Sequence, residues 1–289
     1  MQLELSGAYK ELPKGSLLEI PTTIQKLKIE NLTVNVEDLD SIKKNLDSLT
    51  SLKISNAKMN PIEILKRLPE KVIKLDLSYT NKMKTSENDE FVDLLPKKLE
   101  KLYLQALKLN DEQIKRLPST IKRLSLSTNA ITYQCDYSRF EKLQTLSLRC
   151  TNTNNESVKM IPNKENMTKL SLCATEIDDQ CLIETIPLFK NLTVLDLGEA
   201  EGIEENSNFK FLPSNLQYFY VRWLDLDNTF LHNIQHLHNL KYLHVTEINK
   251  YADLSLLPKS LLFLRTENSI PVSPLFSKNG CSLHEGRLL

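Results

Sequence analysis

Glycine is scarce in this chain, at six residues in 289. That leaves little material for a Gly-rich loop that cradles phosphate, and no such spacing is present. Cysteine builds no framework either. The five, Cys135, Cys150, Cys173, Cys181 and Cys281, are odd in number and lack a CxxC pair, which argues against a disulfide scaffold or structural zinc and for a reducing compartment. No window approaches the roughly 18 apolar residues of a membrane span, and the start, MQLELSGAYKELPKG, lacks a basic-then-apolar secretory pattern. Neither sign of charge is in excess, for Lys+Arg and Asp+Glu are both 37. Bulk electrostatics therefore gives no reason to expect nucleic acid or an anionic membrane as partner. The expectation is a cytoplasmic monomer. Sequons at Asn31, Asn155, Asn166 and Asn191 weigh weakly against that compartment, since such triplets arise by chance in Asn-rich chains.

What the chain does have is a repeat. Leu3, Leu27, Leu52, Leu75, Leu102, Leu124, Leu146, Leu170, Leu195, Phe219, Leu243 and Leu264 recur at intervals of 21 to 27 residues. Two residues after almost every one stands another apolar residue, as in Ile29, Leu77 and Leu126, and three residues before stands a third, as in Ile24, Val72 and Ile121. The last unit is imperfect, with Thr266 at the apolar position. Alternation of this kind makes a short strand with one face inward, and no single unit can bury its leucines alone. Between the strands, NPIEILKRLP (Asn60 to Pro69), SENDEFVDLLP (Ser86 to Pro96), NDEQIKRLP (Asn110 to Pro118) and DDQCLIETIP (Asp178 to Pro187) each begin with a capping residue, carry early acids and end at Pro. These segments are predicted as short helices.

The pattern resembles the leucine-rich-repeat family, whose unit is LxxLxLxx(N/C)xL. Among its classes the chain is closest to the ribonuclease-inhibitor-like and cysteine-containing ones. The resemblance implies an α/β fold, a right-handed, horseshoe-curved solenoid with about 11 to 12 parallel strands on its concave side and short helices on its convex side. It covers residues 1–267, leaving 268–289 as a tail whose Ile270, Val272, Leu275 and Phe276 could cap the last unit. A partner-binding or phosphorylated motif at Ser273-Pro274 is the sharper reading of that tail. One family feature is nearly absent. The ninth position is Asn129 in one unit but Leu32, Ala57, Thr80, Leu107, Thr151, Thr175, Ala200, Leu224 and Ile248 elsewhere, so those turns must satisfy their carbonyls through backbone, Thr hydroxyls or water.

No catalytic constellation emerges, and the chain is expected not to be an enzyme and to need no cofactor. His232 and His236 in HNIQHLHNL are spaced i, i+4 on an expected helix, but Asn233 stands where an HExxH motif has Glu. A solvated helix face is the plainer reading. Cys150 and Cys173 lie in repeats distant from the histidines, so a Cys–His nucleophile is not expected.

Function in such a fold is expected on the strand residues that point away from the core. The residue before each aligned leucine reads Lys26, Ser51, Lys74, Lys101, Arg123, Thr145, Lys169, Val194, Tyr218, Tyr242, Phe263. The column is basic, then apolar and aromatic. The residue after the leucine includes Lys28, Lys53, Asp76 and Tyr103 early, and Asp196, Tyr220, His244 and Arg265 late, with Arg222 and the single tryptophan, Trp223, just beyond. Lys and Tyr are usual tenants of exposed strands, yet Tyr218, Tyr220, Arg222, Trp223, Tyr242 and His244 have the composition of a binding hot spot. The expected function is therefore protein–protein interaction. An acidic protein partner would be steered by Lys74, Lys101, Arg123 and Lys169, with Tyr103 beside them, and anchored by the late aromatics. The Lys-, Asn- and Ile-rich composition is similar to that of effectors which intracellular bacteria deliver into the host cytoplasm, and equally to that of free-standing repeat proteins of amoebae and other protists. A ubiquitin-ligase substrate receptor is disfavoured because no adaptor module is visible before Leu3.

Overall fold

The structure is a computed structural model that describes residues 1–80 and 87–267. The proposed tail cap, the Ser273-Pro274 motif and the Ser86 cap lie outside the described residues. Two compact units divide the chain, Met1–Leu146 and Ser147–Leu289.

In the first unit, β1 (Gln2–Glu11), β2 (Lys26–Thr33), β3 (Ser51–Ser55), β4 (Lys74–Asp76), β5 (Lys101–Tyr103) and β6 (Arg123–Ser125) pair in parallel and in sequence order. The register sets the aligned leucines side by side: Leu3 against Leu27, Leu27 against Leu52, Leu52 against Leu75, Leu75 against Leu102, Leu102 against Leu124. In the second unit, β8 (Lys169–Ser171), β9 (Val194–Asp196), β10 (Tyr218–Tyr220), β11 (Tyr242–His244) and β12 (Phe263–Arg265) do the same with Leu170, Leu195, Phe219, Leu243 and Leu264. The boundary between the units falls within β7 (Thr145–Ser147). Strands only three residues long persist because each inward leucine is wholly removed from water, at about 25 cal/mol per Å² of apolar surface, as Leu75, Leu102 and Leu195 are.

Seven α-helices connect the strands: α1 (Val36–Asn45), α2 (Pro61–Leu65), α3 (Asn88–Asp93), α4 (Asp111–Ile114), α5 (Asn155–Lys159), α6 (Asp179–Glu184) and α7 (Asn228–Ile234) among the described residues. Side-chain caps define most of their starts. Asn60, Asn110 and Asp178 each accept a backbone N–H of the first turn, and Asn110 forms a full capping box with Gln113. Helix α3 departs from the expectation, since Glu87 stands at its N-cap and makes no side-chain capping bond. Pro187 does not end its segment. It lies inside a 3₁₀ turn, Ile186–Leu188, where its missing N–H would have had no helical partner anyway.

In nine successive repeats the eighth position is left-handed. Asn31, Asn56, Tyr79, Ala106, Thr128, Cys150, Ala174, Glu199 and Trp223 all have φ between 53° and 80°. A non-glycine residue there costs on the order of 1 kcal/mol. The cost recurs because the backbone bends at the same point in each of these nine units.

At the ninth position the expected substitutes for Asn are in place. Thr80, Thr151 and Thr175 donate their hydroxyls to the carbonyls of Leu77, Leu148 and Leu172, at 2.9, 2.6 and 2.6 Å. At Ala200 and Leu224 the backbone N–H takes that role, donating to the carbonyls of Leu197 and Val221. Asn129 makes four bonds: its Oδ1 accepts from Leu107 and Leu109 N–H, and its Nδ2 donates to the Leu104 and Leu126 carbonyls.

Candidate interaction surfaces

Residues on either side of the aligned leucine share the sheet face that points away from the core. On the first unit, the column after the leucine is not a free basic stripe. Lys28 lies 3.5 Å from Glu4 and 2.9 Å from Glu30, and Lys53 lies 2.6 Å from Glu30 and 3.3 Å from Asp76. Hydrogen bonding to Glu30 raises the Lys28 ammonium pKa. Burial opposes the charge on Lys53, but Glu30 and Asp76 outweigh it and raise that group too. This chain of alternating charge cancels itself. Sequence reading missed it because Glu30 stands at the seventh position, outside the two columns compared.

The column before the leucine behaves differently. Lys74, Lys101 and Arg123 stand in register on β4, β5 and β6, about 4.8 Å apart from strand to strand. Among the described residues no carboxylate comes within ion-pair distance of any of the three. Burial first, and then the Lys101 charge, hold the Lys74 ammonium below the ordinary lysine range. Lys74 Nζ sits 5.9 Å from the centre of the Tyr103 ring, and burial raises the Tyr103 phenol while Arg123 pulls it back. Like charges directly opposite one another on neighbouring strands destabilise a sheet. The triplet is thus a standing electrostatic cost to this sheet.

On the second unit the sheet presents aromatics. Phe219 replaces the usual leucine and packs inward on Phe209 and Phe230, with ring centres 5.9 and 6.4 Å away. Above this buried platform Tyr218, Tyr220, Tyr242 and His244 form one cluster. Tyr218 and Tyr242 rings are 6.2 Å apart, Tyr220 and Tyr242 5.2 Å, and Tyr220 and His244 6.2 Å edge to face. Lys169 lies two strands away, beside Val194.

The other two residues of the expected patch are placed elsewhere. Trp223 occupies the left-handed turn, is 70% exposed and makes no ring contact among the described residues. Arg222 reaches back across two strands, its Nη2 lying 3.2 Å from Cys173 Sγ and 3.5 Å from a Glu199 carboxylate oxygen. Gly198 makes this crossing possible, because a Cβ there would stand 3.2 Å from Arg222 Nε and 3.3 Å from Arg222 Cβ. A Gly between Cys and Arg at equivalent positions of three successive units was the available signal.

Burial pushes the thiols of Cys135 and Cys181 up to about 12 and that of Cys173 to about 11, so all three are poor nucleophiles at neutral pH. Helix α7 ends at Ile234, so His236 lies beyond it and donates its Nε2–H to the Leu212 carbonyl at 2.9 Å, apart from His232. Among the described residues no group of three His, Cys, Asp or Glu side chains is placed to hold a metal ion. No helix among them is long and apolar enough to cross a membrane.

The fold is the α/β leucine-rich-repeat solenoid. An internalin, InlF, of Listeria monocytogenes superimposes with a TM-score of 0.55 at 17% identity, covering 93% of this chain and 87% of that one. The leucine-rich repeat-containing protein LegL7 of Legionella pneumophila gives 0.52 at 19%, covering 86% and 91%. TLR13, in a TLR13–ssRNA13 complex, gives 0.53 at 16%, covering 85% of this chain but only 39% of that longer one. No protein-family model and no curated protein matches the sequence. At these identities the likeness is one of fold.

Proposed function

We propose that this chain is a non-catalytic protein-binding module. Its main docking surface is the aromatic face of the second unit, Tyr218, Tyr220, Tyr242 and His244, with Trp223 on the adjoining turn. The observation that carries the reading is the in-register tyrosine cluster held on a rigid phenylalanine platform. Rigid aromatics bury a large area at small entropic cost, which is why they dominate binding hot spots. The Lys74, Lys101 and Arg123 triplet is a separate surface on the first unit, suited to acidic groups of a protein partner.

The test uses the full chain as bait, with proteins retained by the wild type identified and then measured one at a time. Tyr242→Ala and Trp223→Ala should each weaken a partner of the aromatic face by more than about tenfold, chiefly through faster dissociation. Lys101→Glu with Arg123→Glu should slow association of a partner of the triplet and flatten its salt dependence. Unchanged affinity in all of these variants would remove both surfaces from the proposal. The finer reading, an effector acting on a host protein, rests on composition and is tested by fusing the carboxyl-terminal segment to a reporter and measuring export.

A further inference from the structure

The fifth repeat position on the second unit runs Ser171, Asp196, Tyr220, His244, Arg265 across five strands in register. Two neighbours in that row are anomalous. The Tyr220 hydroxyl and His244 Nε2 are buried and have no hydrogen-bond partner, and His244 as a whole is only 7% exposed. Buried polar atoms are almost always satisfied, so two adjacent exceptions on a face otherwise built for contact point to a group supplied from outside.

We propose that Tyr220 and His244 receive the carboxylate of an aspartate or glutamate side chain from the protein that docks on this face. The inference rests on the docking proposed above and names its anchoring chemistry. A phenol O–H and an imidazole protonated on Nε2 are two donors on adjacent strands, about 4.8 Å apart at the backbone, a separation that the two oxygens of one carboxylate can bridge with ordinary hydrogen bonds. The surrounding charges select for an anion. Arg265 stands next to His244 on β12, and both Arg265 and Arg222 act on the His244 imidazole as positive neighbours. Asp196, on the other side of Tyr220, is already engaged by the Ser171 hydroxyl at 3.0 Å, the Gly198 N–H at 3.2 Å and Arg149 at 3.8 Å. A cationic group would be repelled by the two arginines.

Burial, then Arg265 and Arg222, hold His244 down at about 4. An arriving carboxylate would counter both arginines and let the imidazole take up a proton. The groups facing His244 are Tyr220 and Arg222 from the β10 side and Arg265 from β12, and both arginines must remain in every variant tested.

The experiment is NMR of the full chain labelled with ¹⁵N-histidine, with the His244 signal assigned by its loss in His244→Gln. N-acetyl-glutamate amide is titrated in, with N-acetyl-glutamine amide at matched ionic strength as control. The glutamate probe should move the His244 Nε2 resonance saturably and raise its titration midpoint by about one pH unit. The glutamine probe should do neither, and Tyr220→Phe should weaken the glutamate response by about fivefold. No response, an equal response to both probes, or a response indifferent to Tyr220→Phe would overturn the inference and leave the two atoms to water. Partner binding by Tyr242→Ala separates the two failures. Binding lost in that variant while the probe is silent removes only the carboxylate anchor, whereas binding retained removes the docking face on which it rests.

Discussion

Replacing Asn129 by Ala removes four hydrogen bonds at once from a site that is only 6% exposed. The side chain accepts from the N–H groups of Leu107 and Leu109 at 3.1 and 3.0 Å and donates to the carbonyls of Leu104 and Leu126 at 2.7 and 2.8 Å. All four leucines are fully buried, so water cannot take over without opening the turn. Two orphaned N–H groups at about 1–3 kcal/mol each, with a smaller loss at two carbonyls, give an expected destabilisation of about 3–5 kcal/mol. Asn129→Thr should cost less, about 2–3 kcal/mol, because a Thr hydroxyl can keep the Leu126 carbonyl as Thr151 keeps that of Leu148. Repeat chains can lose cooperativity locally, so a global unfolding midpoint is paired here with a local probe. Native-state hydrogen exchange is the assay, with protection at the Leu107 and Leu109 amides falling first and urea unfolding giving the size. A loss under about 1 kcal/mol with both amides still protected would refute the account, since the backbone would then have found other partners.

Three further perturbations have signs set by the structure. His244 is held at about 4 in the folded chain against 6.5 when free, so unfolding takes up a proton between those values. Its stabilising contribution is complete above pH 6.5 and is lost as pH falls toward 4, by at most about 3 kcal/mol; urea titrations across that window should show a slope that His244→Asn flattens. Gly202→Ala should be poorly tolerated, because the added Cβ would lie 2.7 Å from Asp178 Cα and 3.0 Å from the Ile177 carbonyl oxygen, both backbone atoms. Asp178 and Gly202 form an isolated parallel β-bridge; thermal unfolding should register about 1–3 kcal/mol, and a wild-type melt would mean that this bridge can part freely. Thr128→Gly should raise stability by about 0.5–1 kcal/mol, since a β-branched residue there holds φ at 59° and glycine removes that strain; a lower melting temperature would show the turn to be unstrained.

Most of the architecture was legible because the leucine spacing can be satisfied in only one way. Once Leu75, Leu102 and Leu124 must each be buried by a neighbour, parallel register follows, and the helix caps at Asn60 and Asn110 follow from side chains that act on their own turn. The candidate surfaces were legible as columns and not as chemistry. Lys53 and Lys74 look alike in sequence, but the first is neutralised by Glu30 and Asp76 while the second faces Lys101. The patch of six late residues separated in a similar way, with four rings in one cluster, Trp223 on a turn and Arg222 bent toward Cys173.

The sequence alone determined the period, the inward face and the choice of side chain at each outward position, because those depend on covalent spacing and on the cost of exposing leucine. Only the tertiary structure decided which charges cancel, which tyrosines touch and which polar atoms go without a partner. Those outcomes depend on a few ångströms between side chains some 24 residues apart, and on the room that a residue such as Gly198 leaves between them.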